Sequence, residues 1–198
     1  VTMLAPVAPA LADCHPDPAV SGDTVTCTGT AHNGFHAGGG VDKLKVDVTT
    51  GATLSDNGGV VLGLKNANTV DNHGQIISRP GAKGIEAINN NTISNFGNMQ
   101  IGAGGFGVLA NDLNNVRNIG AINLGNNAAA IDLGNNNSVT NSGAINGGTH
   151  TLGIDITNNS TAVNNGTIVL GDAKHGPTIG ISAVSYTHLR AHETGRNL

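Results

Sequence analysis

Between residues 60 and 170, apolar and polar residues alternate in short segments that recur at a fixed spacing. The frame Asn-x-Gly returns every 23 residues without insertion. Its asparagines are Asn72, Asn95, Asn118, Asn141 and Asn164, and its glycines are Gly74, Gly97, Gly120, Gly143 and Gly166. Apolar residues stand two positions before each Asn, at Val70, Ile93, Val116, Val139 and Ala162, and two after each Gly, at Ile76, Met99, Ile122, Ile145 and Ile168. Alternation with period two predicts strands, and a fixed period of this length predicts a repeat architecture.

A second apolar segment keeps the same register, at Leu62, Ile85, Val108, Ile131 and Ile154. A unit with two short strands and two Asn/Gly turns cannot bury its own apolar side chains, but it can coil on its neighbours. We therefore predict an all-β fold: a right-handed, single-stranded parallel β-helix (β-solenoid) with 23-residue rungs. Each strand would pair with its counterparts about 4.8 Å above and below. The leucine-rich repeat is disfavoured because its Leu-x-x-Leu-x-Leu pattern is absent.

Stacked coils also explain the abundance of asparagine and glycine. Equivalent Asn residues of the frame would lie above each other and form a ladder of amide hydrogen bonds. The frame glycines would belong to the same structural ladder, at positions where a Cβ would clash or φ is positive. The runs 89–91 and 135–137 are placed at another corner, where Asn tolerates positive φ. All of these residues are assigned structural roles.

Composition supports one domain and narrows the function classes. The chain has 198 residues, 2% aromatic and 11% charged, with a formal net charge of −4. This charge balance gives no basis for binding nucleic acid.

The two ends of the chain differ from the repeats. Residues 1–12 end in Ala10-Leu11-Ala12, which is typical of the end of a secretory signal peptide cleaved between Ala12 and Asp13. A short buried strand is the alternative. The run is too short to span a bilayer. Residues 184–198 resemble translated sequencing-adapter sequence, so we expect them to be an artefact and exclude them from functional inference.

The segment "DCHPDPAVSGDTVTCTGT", the following "LKVDVTTGATL" and the rungs "NTVDNHGQI", "NTISNFGNMQI" and "NSVTNSGAI" carry a family resemblance. Together with the signal remnant, they resemble the N-terminal passenger region of bacterial autotransporters (type V secretion). The resemblance implies an N-terminal cap over residues 13–40 and a β-helix passenger over residues 41–183. It also implies a Gram-negative cell-surface, outer-membrane or secreted location and a C-terminal translocating β-barrel. Residues after Ile168 lack the barrel's series of amphipathic strands, so we expect the barrel outside this sequence.

Cys14 and Cys27 fit an exported protein. In that context, two cysteines closing a small loop predict a disulfide that would pin the cap, with free thiols as the alternative.

Other candidate chemistry is weak. The acidic column Glu86, Asp132 and Asp155, with Leu109 between the first two, would point outward. Asp132 and Asp155 would place like charges on adjacent coils. Calcium could relieve the repulsion, but its six to eight oxygen ligands are not evident, so solvated surface is favoured. Gly102-x-Gly104-x-x-Gly107 lacks the helix of a dinucleotide site. The histidines share no column, so we expect neither a metal site nor a cofactor; they are His15, His32, His36, His73, His150 and His175.

Two functions compete. The uninterrupted repeats favour a non-catalytic exported surface scaffold, adhesive or spacer-like and monomeric, with a receptor or polysaccharide partner that the sequence does not identify. The alternative is a polysaccharide-acting lyase or glycoside hydrolase, which requires convergent carboxylates or an acid beside a cation. The basic residues are scattered instead, at Lys65, Arg79, Lys83 and Arg117.

Overall fold

The computed structural model describes residues 13–171, 178–183 and 188–191, with side chains up to residue 183. The predicted signal remnant with Ala12 lies outside the described residues, as does His175. So do residues 184–187 and 192–198 of the predicted adapter segment.

The described residues form strands joined by turns. In chain order the strands are β1 (Cys14–His15), β2 (Thr24–Cys27), β3 (Thr30–Ala31), β4 (Phe35–His36), β5 (Lys45–Val48), β6 (Thr53–Ser55), β7 (Val60–Gly63), β8 (Thr69–Asn72), β9 (Gln75–Ser78), β10 (Lys83–Ala87), β11 (Thr92–Asn95), β12 (Asn98–Ile101), β13 (Phe106–Ala110), β14 (Asn115–Asn118), β15 (Ala121–Leu124), β16 (Ala129–Leu133), β17 (Ser138–Asn141), β18 (Ala144–Gly147), β19 (Leu152–Ile156), β20 (Thr161–Asn164), β21 (Thr167–Leu170), β22 (Ile179–Ala183) and β23 (His188–Ala191).

Three sheets run along the solenoid. Sheet 1 has the order β1-β2-β5-β8-β11-β14-β17-β20-β23, sheet 2 the order β3-β6-β9-β12-β15-β18-β21, and sheet 3 the order β4-β7-β10-β13-β16-β19-β22. Neighbouring strands of the coils are parallel and in register, so that Ile93 pairs with both Val70 and Val116, and Val116 with Val139. The predicted parallel β-solenoid with 23-residue spacing is confirmed.

Each coil contains three strands rather than the two predicted from the sequence. The Asn-x-Gly frame is itself a corner: Asn95 ends β11 and Asn98 begins β12. The N–H groups of Phe96 and Gly97 both donate to the carbonyl oxygen of Asn72 at 2.8 Å, which turns the chain sharply without leaving the neighbouring coil. Because polar and apolar residues keep alternating on either side, the pattern did not separate these two strands.

The coils begin and end with local departures from the period. Strands β2, β3 and β4 pair in parallel with β5, β6 and β7, so the first coil lies within residues 13–40, and β1 runs antiparallel to β2. At the other end, β22 and β23 pair with strands 27 residues earlier, as Leu152↔Ile179 and Thr161↔His188. The latter pairing includes the backbone of part of the predicted adapter segment.

The core is a narrow stack of inward aliphatic side chains. Examples are Ile93 in sheet 1, Ile122 in sheet 2 and Ile131 in sheet 3, each fully buried. Successive layers of such side chains fill the space between the three sheets, so the apolar interior continues from coil to coil.

The frame glycines let successive coils approach closely. A Cβ on Gly120 would overlap the carbonyl oxygen of Gly97, a Cβ on Gly143 would overlap that of Gly120, and a Cβ on Gly166 would overlap that of Gly143. The expected left-handed φ is wrong for this column, because none of its members has a positive φ; they are Gly74, Gly97, Gly120, Gly143 and Gly166. The clash alone therefore explains why glycine is required.

Two other corners place a left-handed residue at the same point of successive coils. Between sheets 3 and 1 these residues are Lys43, Ala67, Asn90, Leu113, Asn136 and Asn159, with φ between 56° and 61°. Between sheets 2 and 3 they are Gly81, Gly104, Asn127 and His150. Asn adopts this conformation at lower cost than a branched apolar residue does. Leu113 is therefore strained, and its side chain is 55% exposed.

We predict that Leu113→Asn raises the free energy of unfolding by about 1 kcal/mol, because it relieves left-handed strain without removing a buried contact. The reciprocal change Asn136→Leu, at the same corner one coil further, should lower it by a similar amount. Urea unfolding followed by circular dichroism measures both. Equal unfolding midpoints for Leu113→Asn and the unmodified protein would contradict this account of the corner.

Candidate functional site

The five asparagines of the frame lie in one buried column on the inner side of sheet 1. Each side-chain amide donates to the Oδ1 of the next: Asn72 to Asn95 at 2.7 Å, Asn95 to Asn118 at 2.8 Å, Asn118 to Asn141 at 2.7 Å and Asn141 to Asn164 at 2.7 Å. Within the column, each interior member thus donates and accepts one bond. A buried amide is costly unless it is hydrogen-bonded, so the ladder makes a polar column compatible with the core.

The glycines of the frame stand beside this ladder and are not members of it. Glycine has no side-chain amide, so Gly143 and Gly166, like the three glycines before them, contribute only backbone bonds. The N–H of Gly143 donates to the carbonyl oxygen of Asn118 at 3.1 Å, and that of Gly166 to Asn141 at 3.0 Å. The single ladder predicted for Asn and Gly is thus two adjacent columns, one of amide bonds and one of close backbone packing.

Sequence reasoning missed a second buried ladder, formed by Asn68, Asn91, Asn114 and Asn137 at the corner between sheets 3 and 1. The Oδ1 of Asn114 accepts both the backbone N–H of Asn91 at 2.9 Å and its side-chain amide at 3.0 Å. The signal was present in the sequence, because these residues stand four positions before the first four asparagines of the frame.

A third ladder runs along the same corner on its outer side and points the opposite way. Here the backbone N–H of each coil donates to the side chain of the preceding one, as from Asp112 to Asn89 at 3.0 Å and from Asn135 to Asp112 at 2.7 Å. The two ladders together hold each corner to the coil before it and the coil after it.

The disulfide between Cys14 and Cys27 closes the N-terminal end of the frame column. Cys27 pairs in register with Val48, and Val48 pairs with Asn72. The fully buried side chains of Cys27 and Val48 therefore separate Asn72, the first amide of the ladder, from the N-terminal end of the solenoid. The Oδ1 of Asn72 instead accepts the N–H of Gly74 at 3.2 Å.

We predict that Asn118→Ala lowers the free energy of unfolding by about 2–4 kcal/mol. The change removes the 2.8 Å bond of the buried Asn95 amide, which keeps only a 3.4 Å bond to the carbonyl oxygen of Ala121, and it removes the bond that Asn141 Oδ1 accepts from Asn118. Asn115→Ala is the matched control, since Asn115 lies on the same strand with an exposed side chain, and it should change stability by less than about 0.5 kcal/mol. Denaturant unfolding compares the two. Similar small losses for both variants would show that the ladder contributes little.

The acidic column lies on the outer side of sheet 3. Glu86 pairs with Lys83, Oε1 to Nζ at 2.6 Å. Asp132 and Asp155 are register partners on adjacent coils. Burial and, second, the negative charge of Asp155 raise the pKa of Asp132 above its ordinary value. Among the described residues, no group of three or more His, Cys, Asp or Glu side chains could hold a metal ion.

A shallow groove of about 300 Å³ opens on the same sheet where Gly63 leaves a gap between His36 and Glu86; Leu64, Lys65, Leu109 and Asn111 also line it. A Cβ on Gly63 would lie 2.7 Å from Nδ1 of the exposed His36 side chain, so a larger residue there would displace that ring. Glu86 is the groove's carboxylate and is already paired with Lys83. Asp132 and Asp155 lie two and three coils further along the column.

In comparisons with known proteins, no family model, curated protein or solved structure matches this chain. In residues 13–171, 178–183 and 188–191, no helix has the length and apolar character needed to cross a bilayer.

We predict that Asp132→Asn stabilises the protein at neutral pH. The pKa of Asp132 in the folded protein lies above the ordinary 3.8, so protonation of this carboxyl favours folding. This stabilising contribution is fully present below the ordinary pKa and is lost as the pH rises through the pKa of the folded state. The variant should therefore gain most over the unmodified protein near pH 7 and gain little below about pH 4. Urea unfolding across this range tests the sign, with Asp155→Asn as a second variant that removes only the neighbouring charge. A gain for Asp132→Asn that is constant with pH would contradict the assignment.

Proposed function

We propose that this protein is an exported, non-catalytic scaffold of the bacterial cell surface, the passenger segment of an autotransporter-type protein that acts as a spacer or adhesive stalk. The observation that carries the proposal is the disulfide between Cys14 and Cys27, which is fully buried at the end of a repetitive solenoid. Disulfides persist in oxidising compartments outside the cytoplasm. A solenoid with a covered end is suited to extending away from the cell surface.

The regular coils support the spacer role. From β8 to β21, paired strands keep a separation of 23 residues, so the frame corner and the asparagine corner have constant length. Each coil extends the solenoid by about 4.8 Å. Long loops, on which binding and catalytic residues are usually built, do not interrupt this part of the chain.

The carboxylates support a non-catalytic role over a glycan-cleaving one. Retaining and inverting glycosidases place two carboxyl groups on either side of one bond. Glu86 is instead bonded to Lys83, and the stacked pair Asp132 and Asp155 lies outside the groove. The like-charged pair Asp132 and Asp155 is half-buried on the outer side of sheet 3 and does not face a second carboxylate across the groove.

Display on intact cells tests the proposal. An epitope inserted after Gly39, in the exposed loop 38–40, would be placed in the complete reading frame and expressed in a Gram-negative host. Antibody labelling of intact cells is expected, with a periplasmic protein as the control that labels only after permeabilisation. The double variant Cys14→Ser/Cys27→Ser should reduce display, because loss of a disulfide closing a loop of this size costs about 3 kcal/mol. Labelling that requires permeabilisation would contradict surface exposure.

A further inference from the structure

The outer face of sheet 2 differs from the other two faces because it carries no Asp, Glu, Lys or Arg at any outward position of its described strands. Its two outward columns are Thr30, Thr53, Gln75, Asn98, Ala121, Ala144 and Thr167, and Ser55, Ile77, Gln100, Asn123, Asn146 and Val169. Sheet 1 carries outward Lys45, Asp47, Asp71 and Arg117, and sheet 3 carries Lys83, Glu86, Asp132 and Asp155. Charge is thus distributed unevenly around the solenoid.

The side-chain amides on this face are held in place by one another. Asn123 Nδ2 donates to Asn98 Oδ1 at 2.8 Å, and Asn146 Nδ2 donates to Asn123 Oδ1 at 3.0 Å. Gln100 lies in register beside Asn123 and is exposed. Amide groups fixed before a ligand arrives lose less conformational entropy on binding. Each retains hydrogen-bonding capacity toward solvent, because a primary amide has two donors and two acceptor lone pairs.

Aromatic rings border the amides at the adjoining corner. His73 and Phe96 stack with ring centroids 4.6 Å apart and an interplanar angle of 10°. Phe96 is 40% exposed, although large aromatic side chains are otherwise rare in this chain. It precedes Asn98 by two residues, so apolar ring surface lies beside the uncharged polar column.

We propose that the outer face of sheet 2 binds an uncharged polysaccharide whose chain runs along the solenoid axis. Sugar hydroxyls both donate and accept hydrogen bonds, which matches the amides and hydroxyls of this face, and the exposed ring can cover apolar sugar C–H groups. The described strands of this face carry no outward Lys or Arg, so they give an acidic polymer or a nucleic acid little electrostatic attraction; a histidine, His32, contacts it at Ser55, with Nδ1 3.1 Å from Oγ. Repetition from coil to coil lets weak contacts act together. The inference deepens the proposed adhesive scaffold and rests on it for its biological setting.

Affinity electrophoresis of the purified protein tests the inference with three neutral probes, a β-glucan, a galactomannan and a xylan, and with polygalacturonate as the anionic counter-probe. We expect at least one neutral polymer to retard the protein and polygalacturonate to leave it unretarded. The double variant Gln100→Glu/Asn146→Asp preserves side-chain shape but adds charge, and it should weaken binding about tenfold or more. Asn115→Asp makes the same chemical change on the exposed side of sheet 1 and should bind like the unmodified protein.

A second pair of variants tests the ring. Phe96→Ala should weaken binding several-fold, whereas Leu113→Ala, which removes an exposed apolar side chain from a different corner, should not. Circular dichroism and urea unfolding confirm that each variant is folded.

Three electrophoresis results would overturn the inference: no retardation by any neutral probe, equal retardation of the unmodified protein and the sheet 2 double variant, or retardation by polygalacturonate as strong as that by the neutral probes. The face could instead hold a second copy of this chain. Sedimentation showing a dimer that Gln100→Glu/Asn146→Asp dissociates would establish that occupant and overturn the inference. The electrophoresis uses purified protein and is therefore independent of the display experiment on intact cells. If intact cells are labelled but no polysaccharide binds, the scaffold proposal stands and this inference fails. If a neutral polysaccharide binds but intact cells are not labelled, only the scaffold proposal is rejected.

Discussion

In-register stacking is the constraint on which the rest of this structure depends. When a residue lies about 4.8 Å from its equivalent in the next coil, its side chain must be one that tolerates a copy of itself as a neighbour. Aliphatic side chains do so by packing, and amides do so because each can donate to the next and accept from the one before. The interior of this protein uses both solutions, with isoleucine and valine columns beside asparagine columns. Stacked carboxylates are less suited to this arrangement: at Asp132, burial and, second, the negative charge of Asp155 in the next coil raise the pKa.

Stacking also explains how a chain with so few aromatic residues forms a stable interior. Backbone ordering costs roughly 1–2 kcal/mol per residue, and one coil buries too few aliphatic groups to offset that cost alone. Its partners above and below provide the remaining contacts, so stability belongs to the array rather than to a coil. At the N-terminal end the disulfide and β1 replace the missing neighbour.

The sequence predicted the fold because period, alternation and the Asn-x-Gly frame all reflect the same stacking. It did not predict three strands per coil, since the corner at Asn95–Gly97 leaves the alternation intact on both sides. The buried role of Asn91 and Asn114 was missed because exposed and buried asparagines alternate within one corner, and composition does not distinguish them. The frame glycines were correctly expected to be structural, but the sequence could not distinguish a forbidden Cβ from a left-handed φ, since both require glycine.

Leu113 shows the opposite problem. Its apolar side chain suggests a core position, but the stacking register places it at an exposed left-handed corner. The uncharged face of sheet 2 could be recognised only from the register of the three sheets, because its residues are far apart in sequence. The most direct test of the account is a series of distances between spin labels on the outer side of sheet 1. Labels would be placed on cysteines introduced at Thr26 and, in separate proteins, at Arg117, Thr140 or Val163, which occupy one register column. Stacked coils predict backbone separations of about 19, 24 and 29 Å, a constant increase of about 4.8 Å per coil. Distances from pulsed electron paramagnetic resonance that do not increase in equal steps would contradict in-register stacking and the solenoid with it.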